Sequence, residues 1–512
     1  MGTTESLAYF LPELALSTAI LAVVFVDLAL TGRAGRRASE WPGNLALAGA
    51  GAALVLTLGV RPLGLPGLLD DPTQPWLFNR THDWLFNRMI VLDPFSVFFK
   101  VLLGLALLAV VWMSLSSREI RGQPNEGEYY ALLLSSGLAM FLMASAGTLL
   151  MAYLSLEFVS LTSYVLTGFL RHNRRSGEAA LKYLIYGGVA SGAMIFGMSW
   201  VFGLTGAMDY AGITRGVAAL DPASRGALFL ALVLVLAGFG YKIASVPFHM
   251  WAPDVYTGAP IPVTAFLAVG SKAAGFALLL RFFHFGIGPE GATPAVANLP
   301  FPQLASIICV ATMTLGNLAA LSQTNMKRLL AYSSIAHAGY ALLGFVVFAD
   351  KGVEALLFYL VVYYLMNLGA FWVVMLIANA TGREDLEGYR GLAWRGGAAP
   401  ALALGVFVFS LAGLPPLAGF IGKFNIFAAG VEARLYALVV IGLLNSVISL
   451  YYYARVVKTM FLDLPAAEDP AMRFSASELG AVGVLSLATV VLGVNFNWLL
   501  RWVEVAGKVY TG

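Results

Sequence analysis

Residues 225–250 read RGALFLALVLVLAGFGYKIASVPFHM, an apolar run that holds one lysine, Lys242, and one proline, Pro247. The run is long enough to cross a hydrocarbon core of about 30 Å, which takes about 20 residues of helix. Proline removes a backbone donor and clashes with the carbonyl four residues earlier, so this helix is expected to break beside its lysine. The stretch therefore predicts a membrane-spanning helix that is interrupted next to a buried charge.

Apolar runs of this length recur from end to end of the 512 residues, of which 59% are hydrophobic and 12% charged. The charged fraction is about half of that in soluble domains, so a soluble enzyme is excluded. We predict an all-α membrane protein with fourteen transmembrane helices. Their expected spans are 8–31, 43–60, 94–115, 129–147, 149–170, 179–204, 225–246, 261–285, 303–322, 328–349, 354–379, 399–429, 434–461 and 478–504.

Lysine and arginine residues divide unevenly between the loops on the two sides. Loops after odd-numbered helices hold sixteen of them, and the opposite loops hold nine. Because positive loops are retained in the cytoplasm, we expect a multi-pass protein of the bacterial inner membrane with both termini on the outer side. The apolar run 9–30 is too long for a signal peptide and is interpreted as a retained first helix.

Composition also limits the partners and cofactors. A net charge of +3 and the lack of a basic run interleaved with aromatic residues predict no nucleic-acid partner. The single cysteine, Cys309, excludes disulfides and cysteine-ligated clusters within the chain. There is no phosphate-binding loop, no dinucleotide fingerprint and no histidine pair at ligand spacing. We therefore expect no cofactor in this chain, and redox chemistry would take place in another subunit.

Two segments recur at an offset of 176 residues: EAALKYL at 178–184 returns as EALLFYL at 354–360, and SYVLTG at 163–168 as GYALLG at 339–344. Each unit would hold five helices, and a shift by an odd number of helices inverts the second unit. Inverted repeats are typical of transporters, whose site lies at mid-membrane where helices are interrupted. The predicted parts are helices 1–3 with an outer-side loop (1–126), the first five-helix repeat (127–285), the inverted second repeat (303–461) and helix 14 (462–512).

A second break is expected in the twelfth helix, where Gly413-Leu-Pro-Pro416 precedes Lys423. Either break alone would also suit an ordinary membrane kink. Their pairing in corresponding helices of the two units favours a functional site.

Charged residues inside membrane helices are costly, about 2.5–3.5 kcal/mol each at the helix centre, and are kept mainly where they act. We expect one buried glutamate, Glu157, which would pair with Lys242 as a switch or as a purely structural ion pair. Lys272, among the small residues of 270–275, is expected to exchange protons readily. Lys423 would be the carrier on the exit side.

The remaining charges have weaker signals. His337 suits a relay or a helix–helix hydrogen bond, and Lys182 suits a snorkelling side chain or a modulator of Glu157. Lys100 and Arg281 lie toward span ends and are expected to snorkel to an interface.

The loop 62–92 holds the pentapeptide WLFNR twice, at 76–80 and at 84–88. Its interfacial aromatic residues would suit a contact with neighbouring proteins or lipid headgroups, and a neutral duplication is the alternative.

Residues 241–260, YKIASVPFHMWAPDVYTGAP, followed by FLAVGSKAAGF at 266–276, resemble the signature of the antiporter-like membrane subunits of the proton-pumping NADH:quinone oxidoreductase, complex I, in the version found in subunit N. Residues 156–164 and 413–424 resemble the glutamate helix and the broken twelfth helix of that family. The resemblance covers nearly the whole chain. It implies a proton relay of Glu157, Lys242, Lys272, His337 and Lys423.

The resemblance also implies a place in a larger assembly. The expected partners are the lipid bilayer, the antiporter-like subunit M and the small subunits K and J, with NADH, FMN, iron–sulfur clusters and quinone elsewhere in the complex. Subunit M itself would have glutamate at the position of Lys423. An Mrp-type or stand-alone cation/proton antiporter subunit is the alternative, and a passive scaffold is a third reading.

Overall fold

Helices account for almost all of the residues that the structure describes. The structure is a computed structural model that describes residues 3–31, 41–59, 83–287, 299–465 and 471–507. The helices of the N-terminal part are α1 (Thr3–Leu7), α2 (Leu11–Thr31), α3 (Trp41–Thr57) and α4 (Pro94–Ser116).

The two predicted repeats and the C-terminal part supply the other helices. Those of the first repeat are α5 (Glu126–Ala144), α6 (Leu149–Thr167), α7 (Arg174–Thr205), α8 (Tyr210–Ala218), α9 (Arg225–Ile243), α10 (Trp251–Gly258), α11 (Ile261–Phe266) and α12 (Lys272–Leu279). π-helical turns over Leu267–Ser271 and Leu280–Gly286 join α11 to α12 and extend α12. The remaining helices are α13 (Phe301–Ala320), α14 (Met326–Val346), α15 (Asp350–Thr381), α16 (Ala398–Ala412), α17 (Ala418–Glu432), α18 (Tyr436–Phe461), α19 (Ala476–Val494) and α20 (Asn497–Gly507).

Among the described residues, twelve helices are long and apolar enough to cross a membrane, or thirteen if the pair Leu386–Trp394 and Ala398–Ala412, bent by 119°, is one span. α3 is a shorter apolar helix. The all-α membrane class is confirmed, whereas fourteen spans remain a prediction.

The breaks expected in the seventh and twelfth helices lie where the prolines are. α9 ends at Ile243, and Ala244 follows with a left-handed φ of 59°. α16 ends at Ala412, and Gly413 follows with a φ of 89°. In both cases a second helical segment, α10 or α17, continues after the break.

The last predicted span, 478–504, is wrong as a single helix. α19 ends at Val494, and the separate helix α20 follows after Asn495 and Phe496. Asparagine competes for backbone hydrogen bonds and so favours helix ends. α20 buries Leu499 and Val503 on one face and exposes Arg501, which is the pattern of a helix that lies along an interface.

Matching helix ends recur at the repeat offset. α7 and α15 both have 32 residues and begin at Arg174 and Asp350, 176 residues apart. Each ends at a glycine in the left-handed region, Gly206 with φ 68° and Gly382 with φ 69°. The two units therefore place their longest helix in the same register.

A short hairpin precedes α4. β1 (Asp83–Leu85) pairs antiparallel with β2 (Ile90–Leu92), with Trp84 opposite Val91. The second WLFNR copy, 84–88, provides β1 residues and the turn, while the copy at 76–80 lies outside the described residues.

Two residues that were predicted to snorkel, Lys100 and Arg281, instead form buried ion pairs. The Lys100 Nζ atom lies 2.6 Å from Glu13 Oε1, and the exposed fractions of the two side chains are 3% and 0%. Arg281 donates to both carboxylate oxygens of Asp93, at 2.8 and 2.6 Å. The snorkelling interpretation was wrong because both partners lie in distant segments. The expected single buried glutamate, Glu157, is only half-buried, whereas Glu13 is fully buried.

Candidate proton pathway

Lys242 lies in the last turn of α9, directly before the break, and is 2% exposed. The interrupted backbone finds other partners: the Val246 N–H donates to Thr312 Oγ1 at 3.0 Å, and the Trp251 indole N–H donates to the Tyr241 carbonyl at 3.0 Å. Satisfying such groups is what allows an irregular segment inside a membrane protein. The break is therefore fixed to α13, a helix of the second unit.

Glu157 and Lys242 are close in the fold but are not bonded to each other. Lys242 Nζ donates to Ser160 Oγ at 3.3 Å, one turn beyond Glu157 on α6. Glu157 Oε1 is buried and has no hydrogen-bond partner in the described part of the chain. The expected direct ion pair between these two described residues is therefore not formed. The Lys242 ammonium donates to a serine hydroxyl instead of to the Glu157 carboxylate.

Lys242 also touches the helix that carries Lys272. A Cβ atom on Gly275 would lie 2.9 Å from Ile243 Cγ2 and 3.3 Å from Lys242 Cγ. The absence of a side chain at Gly275 is therefore what lets α9 approach α12 at the lysine.

Lys272 is 3% exposed and bonds to α14. Its Nζ atom donates to the Ser334 carbonyl at 2.6 Å and also contacts Ser334 Oγ. The hydroxyls of Tyr256 and Ser334 lie 3.4 Å apart. Lys272 of the first unit is thereby joined to the helix of the second unit that carries His337.

His337 lies between two tyrosine hydroxyls. Its Nδ1 atom is 2.6 Å from the Tyr359 hydroxyl, and its Nε2 atom is 3.2 Å from the Tyr453 hydroxyl. The Tyr453 hydroxyl also bonds to Ser333 Oγ, next to Ser334. His337 therefore has a hydroxyl on each side, and the paired hydroxyls of Tyr453 and Ser333 reach within one residue of the Lys272 contact.

Lys423 is the last residue of the predicted relay. Its Nζ atom donates to the Ala412 carbonyl at 3.0 Å and to Ser446 Oγ at 2.9 Å, and it lies 4.6 Å from the centre of the Tyr340 ring. The His337 and Tyr340 rings are 5.7 Å apart. The ammonium therefore faces the negative end of the α16 dipole, where a cation is stabilised.

The two lysines at the breaks do not occupy corresponding positions. Lys242 precedes its break and lies on α9, whereas Lys423 follows its break and lies on α17. Inverted units would make these two lysines corresponding residues, and that prediction is wrong: Lys423 bonds to the Ala412 carbonyl at the end of the helix before its break, whereas Lys242 lies within the helix that ends at its break.

Lys182 belongs to a separate ion cluster. Its Nζ atom lies 2.8 Å from Glu178 Oε1 and 2.7 Å from Asp254 Oδ2, and Asp254 Oδ1 accepts from Arg328 at 2.6 Å. Asp254 stands on α10, the segment after the first break. The contact of Lys182 is therefore with the broken helix and not with Glu157.

Lys327, which the sequence places in a loop, is 1% exposed. It donates to the Ala259 carbonyl at 2.8 Å and to Glu384 Oε1 at 3.0 Å. Lys327 and Glu384 lie at a cavity of about 570 Å³, which also borders Glu119 and Ile261. Burial raises the pKa of the Glu119 carboxyl, against the opposing effects of Lys327 and of the Ile261 N–H. This carboxyl takes up a proton more readily than an exposed glutamate would.

Sequence reasoning missed the hydroxyl groups of the pathway. Ser160, Ser333, Ser334 and Ser446 look like ordinary small residues of membrane helices, and Tyr359 and Tyr453 look like apolar packing. Polar side chains in adjacent pairs, such as 333–334 and 452–453, were the available signal. In the described residues no group of three or more His, Cys, Asp or Glu side chains could hold a metal ion.

An all-α membrane fold with two broken helices and buried lysines beside both breaks defines the class of ion-translocating membrane proteins. The family model for "NADH:quinone oxidoreductase/Mrp antiporter, TM" matches residues 146–449. The subunit N of NADH-quinone oxidoreductase from Anaeromyxobacter sp. (strain Fw109-5) is 44% identical, over 99% of this chain and 98% of its own length. Subunit N 2 from Sorangium cellulosum (strain So ce56) is 46% identical, over 97% and 96%.

Solved structures agree with these relatives. A chain of respiratory complex I from Thermus thermophilus with bound aureothin is 32% identical, with a TM-score of 0.76 over 96% of this chain and 98% of that one. A chain of the Mrp complex from Dietzia sp. DQ12-45-1b has a TM-score of 0.81 over 99% and 98%, but at 22% identity it shows the fold alone. The chain belongs to the family of subunit N of NADH-quinone oxidoreductase, an antiporter-like membrane subunit of complex I that is involved in proton translocation.

Proposed function

We propose that this chain carries protons through a relay of Glu157, Lys242, Lys272, His337 and Lys423, driven by quinone reduction elsewhere in the complex. The observation that carries the proposal is the set of hydrogen bonds that runs from Lys272 through Ser334 and, one residue away, from Ser333 through Tyr453 to His337. The bond between Lys272 and Ser334 joins the two predicted units, and the other two bonds lie within the second. Hydroxyl groups can both donate and accept, so they suit the passage of a proton between a lysine and a histidine.

The separation of Glu157 from Lys242 fits a switch. In the arrangement observed, Lys242 is held by Ser160, and the buried oxygen Oε1 of the half-buried Glu157 has no hydrogen bond from the described residues. Leaving a buried carboxylate oxygen unpaired is unfavourable, so a second arrangement with a direct ion pair should be close in free energy. Alternation between the two would move Lys242 toward and away from Lys272, and water would fill the remaining gaps.

Lys182 would modulate this switch through the broken helix. Its ion pair with Asp254, shared with Arg328, holds α10 against α7 and α14. The 570 Å³ cavity near Glu119 and Lys327 would supply protons from the arginine-rich side, which we place in the cytoplasm.

We propose the finer architecture on the same basis: fourteen spans, two inverted five-helix repeats and both termini outside. The equal lengths and offset of α7 and α15 support the repeats. Subunits M, K and J would be the neighbours, and NADH, FMN, iron–sulfur clusters and quinone would be held by other subunits.

An Mrp-type or stand-alone antiporter remains the second candidate function because the Mrp chain shares the fold. Relatives of 44% and 46% identity over nearly the full length are subunit N proteins, which favours complex I. Purifying the native assembly and identifying its subunits separates the two functions, since an Mrp-type assembly would lack redox subunits.

The relay itself is tested by Lys272→Met in the intact complex, reconstituted in vesicles. A positioned acid–base group contributes large factors to proton transfer, so we expect NADH-driven pumping to fall at least about ten-fold. Lys351→Met is the matched control, because that side chain is 67% exposed and pairs with Glu354 at the surface. Equal pumping by both variants, at equal assembly, would refute the relay.

A further inference from the structure

A second cavity, of about 360 Å³, lies where three segments of the arginine-rich side meet. One wall is the end of α4 and the loop after it, a second is the last turn of α15, and a third is the segment that leads into α19. The lining residues are Ser116, Ser117, Arg118, Arg121, Leu376, Asn379, Ala380, Arg473, Phe474 and Glu478.

The charge of this cavity is strongly positive. Three guanidinium groups face one carboxylate, and that carboxylate is already used: Glu478 Oε2 accepts from the Ser475 N–H at 2.8 Å and from Ser475 Oγ at 2.7 Å. Arg118 and Arg473 form no salt bridge with any of the residues that the structure describes. Two arginines without an acidic partner at one cavity indicate an anionic ligand that can accept several N–H bonds.

At the floor of the cavity lies a buried hydroxyl, that of Ser117, whose hydrogen bonds are not satisfied by the described residues. Ser117 is fully buried, and its Oγ atom has no hydrogen-bond partner within the described ranges. The surrounding backbone is held in place, since Asn379 Oδ1 accepts from the Arg118 N–H at 3.1 Å and Asn379 Nδ2 donates to the Ser116 carbonyl at 2.9 Å. A buried polar group is rarely left unsatisfied, so a ligand oxygen above Ser117 would supply the missing bond.

The membrane side of the cavity suits an acyl chain. One turn before Ser116, Trp112 is 41% exposed, and its ring packs edge-on against Trp372 at 5.3 Å. Trp372 lies one turn before Leu376 on α15. Tryptophan is favoured at the level of the headgroups, with polar groups above it and hydrocarbon below. The arginines therefore stand at the depth of lipid phosphates.

We propose that this cavity binds the phosphate headgroup of an anionic phospholipid, with Arg118, Arg473 and the Ser117 hydroxyl as its ligands and Trp112 as the surface for an acyl chain. Arg121 adds positive charge at the rim. The lipid would hold together the three segments that form the cavity, and it takes no part in the proton relay.

Binding to the intact purified complex tests the proposal. The complex is stripped of lipid in detergent and titrated with phosphatidylglycerol, with phosphatidylcholine and with inorganic phosphate. Each arginine near a membrane surface is worth about a five-fold change in affinity for an anionic lipid, so Arg118→Gln combined with Arg473→Gln should weaken phosphatidylglycerol binding about 30-fold. Arg174→Gln, an exposed arginine of the same side outside this cavity, should leave the affinity unchanged.

A finer variant keeps the test decisive if the double variant fails to assemble. Ser117→Ala removes only the hydroxyl and should weaken phosphatidylglycerol binding about ten-fold. Unchanged affinity in Ser117→Ala and in the arginine variants would overturn the proposal. Binding of inorganic phosphate alone, without preference for the lipid, would overturn the headgroup assignment. Loss of a neighbouring subunit from assembled variants, with the bound lipid unchanged, would show that an acidic protein side chain fills the cavity instead.

Discussion

Tyr453 of α18 is joined to α14 through one hydroxyl, which lies between Ser333 and the ring of His337, both on α14. The neighbouring Tyr452 is equally buried but bonds elsewhere, donating to Asn317 Oδ1 at 3.0 Å. The two adjacent tyrosines therefore differ in their hydrogen bonds, because only the Tyr453 hydroxyl bonds to the His337 ring.

Tyr453→Phe should therefore impair proton pumping several-fold while leaving the ring packing in place. It removes the hydroxyl between Ser333 and His337 and leaves both side chains short of a bond, at a cost of about 1–3 kcal/mol in stability. Pumping per NADH oxidised, measured in vesicles that contain the assembled complex, is the readout. Tyr129→Phe is the control: it loses a comparable buried bond, to Ser114 Oγ and away from the candidate relay, so pumping that falls equally in both variants would trace the effect to stability and not to the relay.

Gly275 makes the approach between Lys242 and the Lys272 helix possible, and Gly275→Ala should block it. The added Cβ atom would lie 2.9 Å from Ile243 Cγ2, which must shift, and 3.3 Å from Lys242 Cγ, which must give by a few tenths of an ångström. Overpacking of this kind costs about 1–3 kcal/mol. We expect reduced pumping with a lower thermal midpoint.

Gly188→Ala is the matched substitution, because nothing lies within 4 Å of the added Cβ atom at that helical position. Alanine should be neutral there or slightly stabilising. If the Gly275→Ala complex pumped protons as well as the Gly188→Ala complex, the close contact between Gly275 and Lys242 would not be needed for pumping.

Residues whose function depends on a distant partner were the ones that sequence reasoning placed wrongly. Lys100 was expected at an interface because its partner, Glu13, lies two helices earlier and has no spacing relation to it. Lys272 was placed correctly in the interior from the small residues around it, but its bond to Ser334 depends on how the two units pack. Pattern reasoning finds a buried charge and does not find the group that satisfies it.

Broken helices connect these residues to larger movements. The backbone freed by Pro247 is bound by Thr312 of α13, which accepts from the Val246 N–H at 3.0 Å while donating to its own helix at Ile308. A helix of the second unit thus holds the break of the first.

Thr312→Val should loosen that connection. Valine has nearly the same shape but cannot accept the Val246 N–H, and an unpaired buried donor costs about 1–3 kcal/mol. A lower thermal midpoint of the complex and reduced pumping are expected. In Thr18→Val only a bond within one exposed helix is lost, so this control should behave as the unaltered complex. A Thr312→Val complex with unchanged midpoint and pumping would mean that the break needs no support from α13.

Helix breaks were predictable because proline imposes them locally. The end of α19 was not foreseen, since Asn495 and Asn497 interrupt an apolar pattern that hydropathy alone continues. The groups that hold Lys242 and Lys423, the Ser160 hydroxyl and the Ala412 carbonyl, also escaped prediction, because a repeat in sequence fixes helix register and does not fix side-chain contacts.

At the scale of the whole molecule, the number of membrane spans decides which loop residues lie on the same side of the membrane. The described helices allow twelve or thirteen spans by length and composition, while the apolar runs of the sequence predict fourteen. The difference depends largely on whether α3 crosses and on whether α16 and α17 together form one broken span. If α3 crosses the membrane and α16 and α17 form one broken span, Lys351 and Arg501 lie outside, and Arg174 lies with the cytoplasmic loops.

Cysteine labelling decides this without a functional assay. Cys309 is the sole cysteine of the chain and is buried, so Cys309→Ser gives a background in which single cysteines report their own side. A membrane-impermeant maleimide added to intact spheroplasts should label Lys351→Cys and Arg501→Cys, and should label Arg174→Cys only after the membrane is opened. Labelling of Arg501→Cys on the side of Arg174→Cys would mean that one apolar helix between 351 and 501 does not cross. The broken helix of α16 and α17 would then be re-entrant, and Lys423 would reach the membrane interior from one face alone.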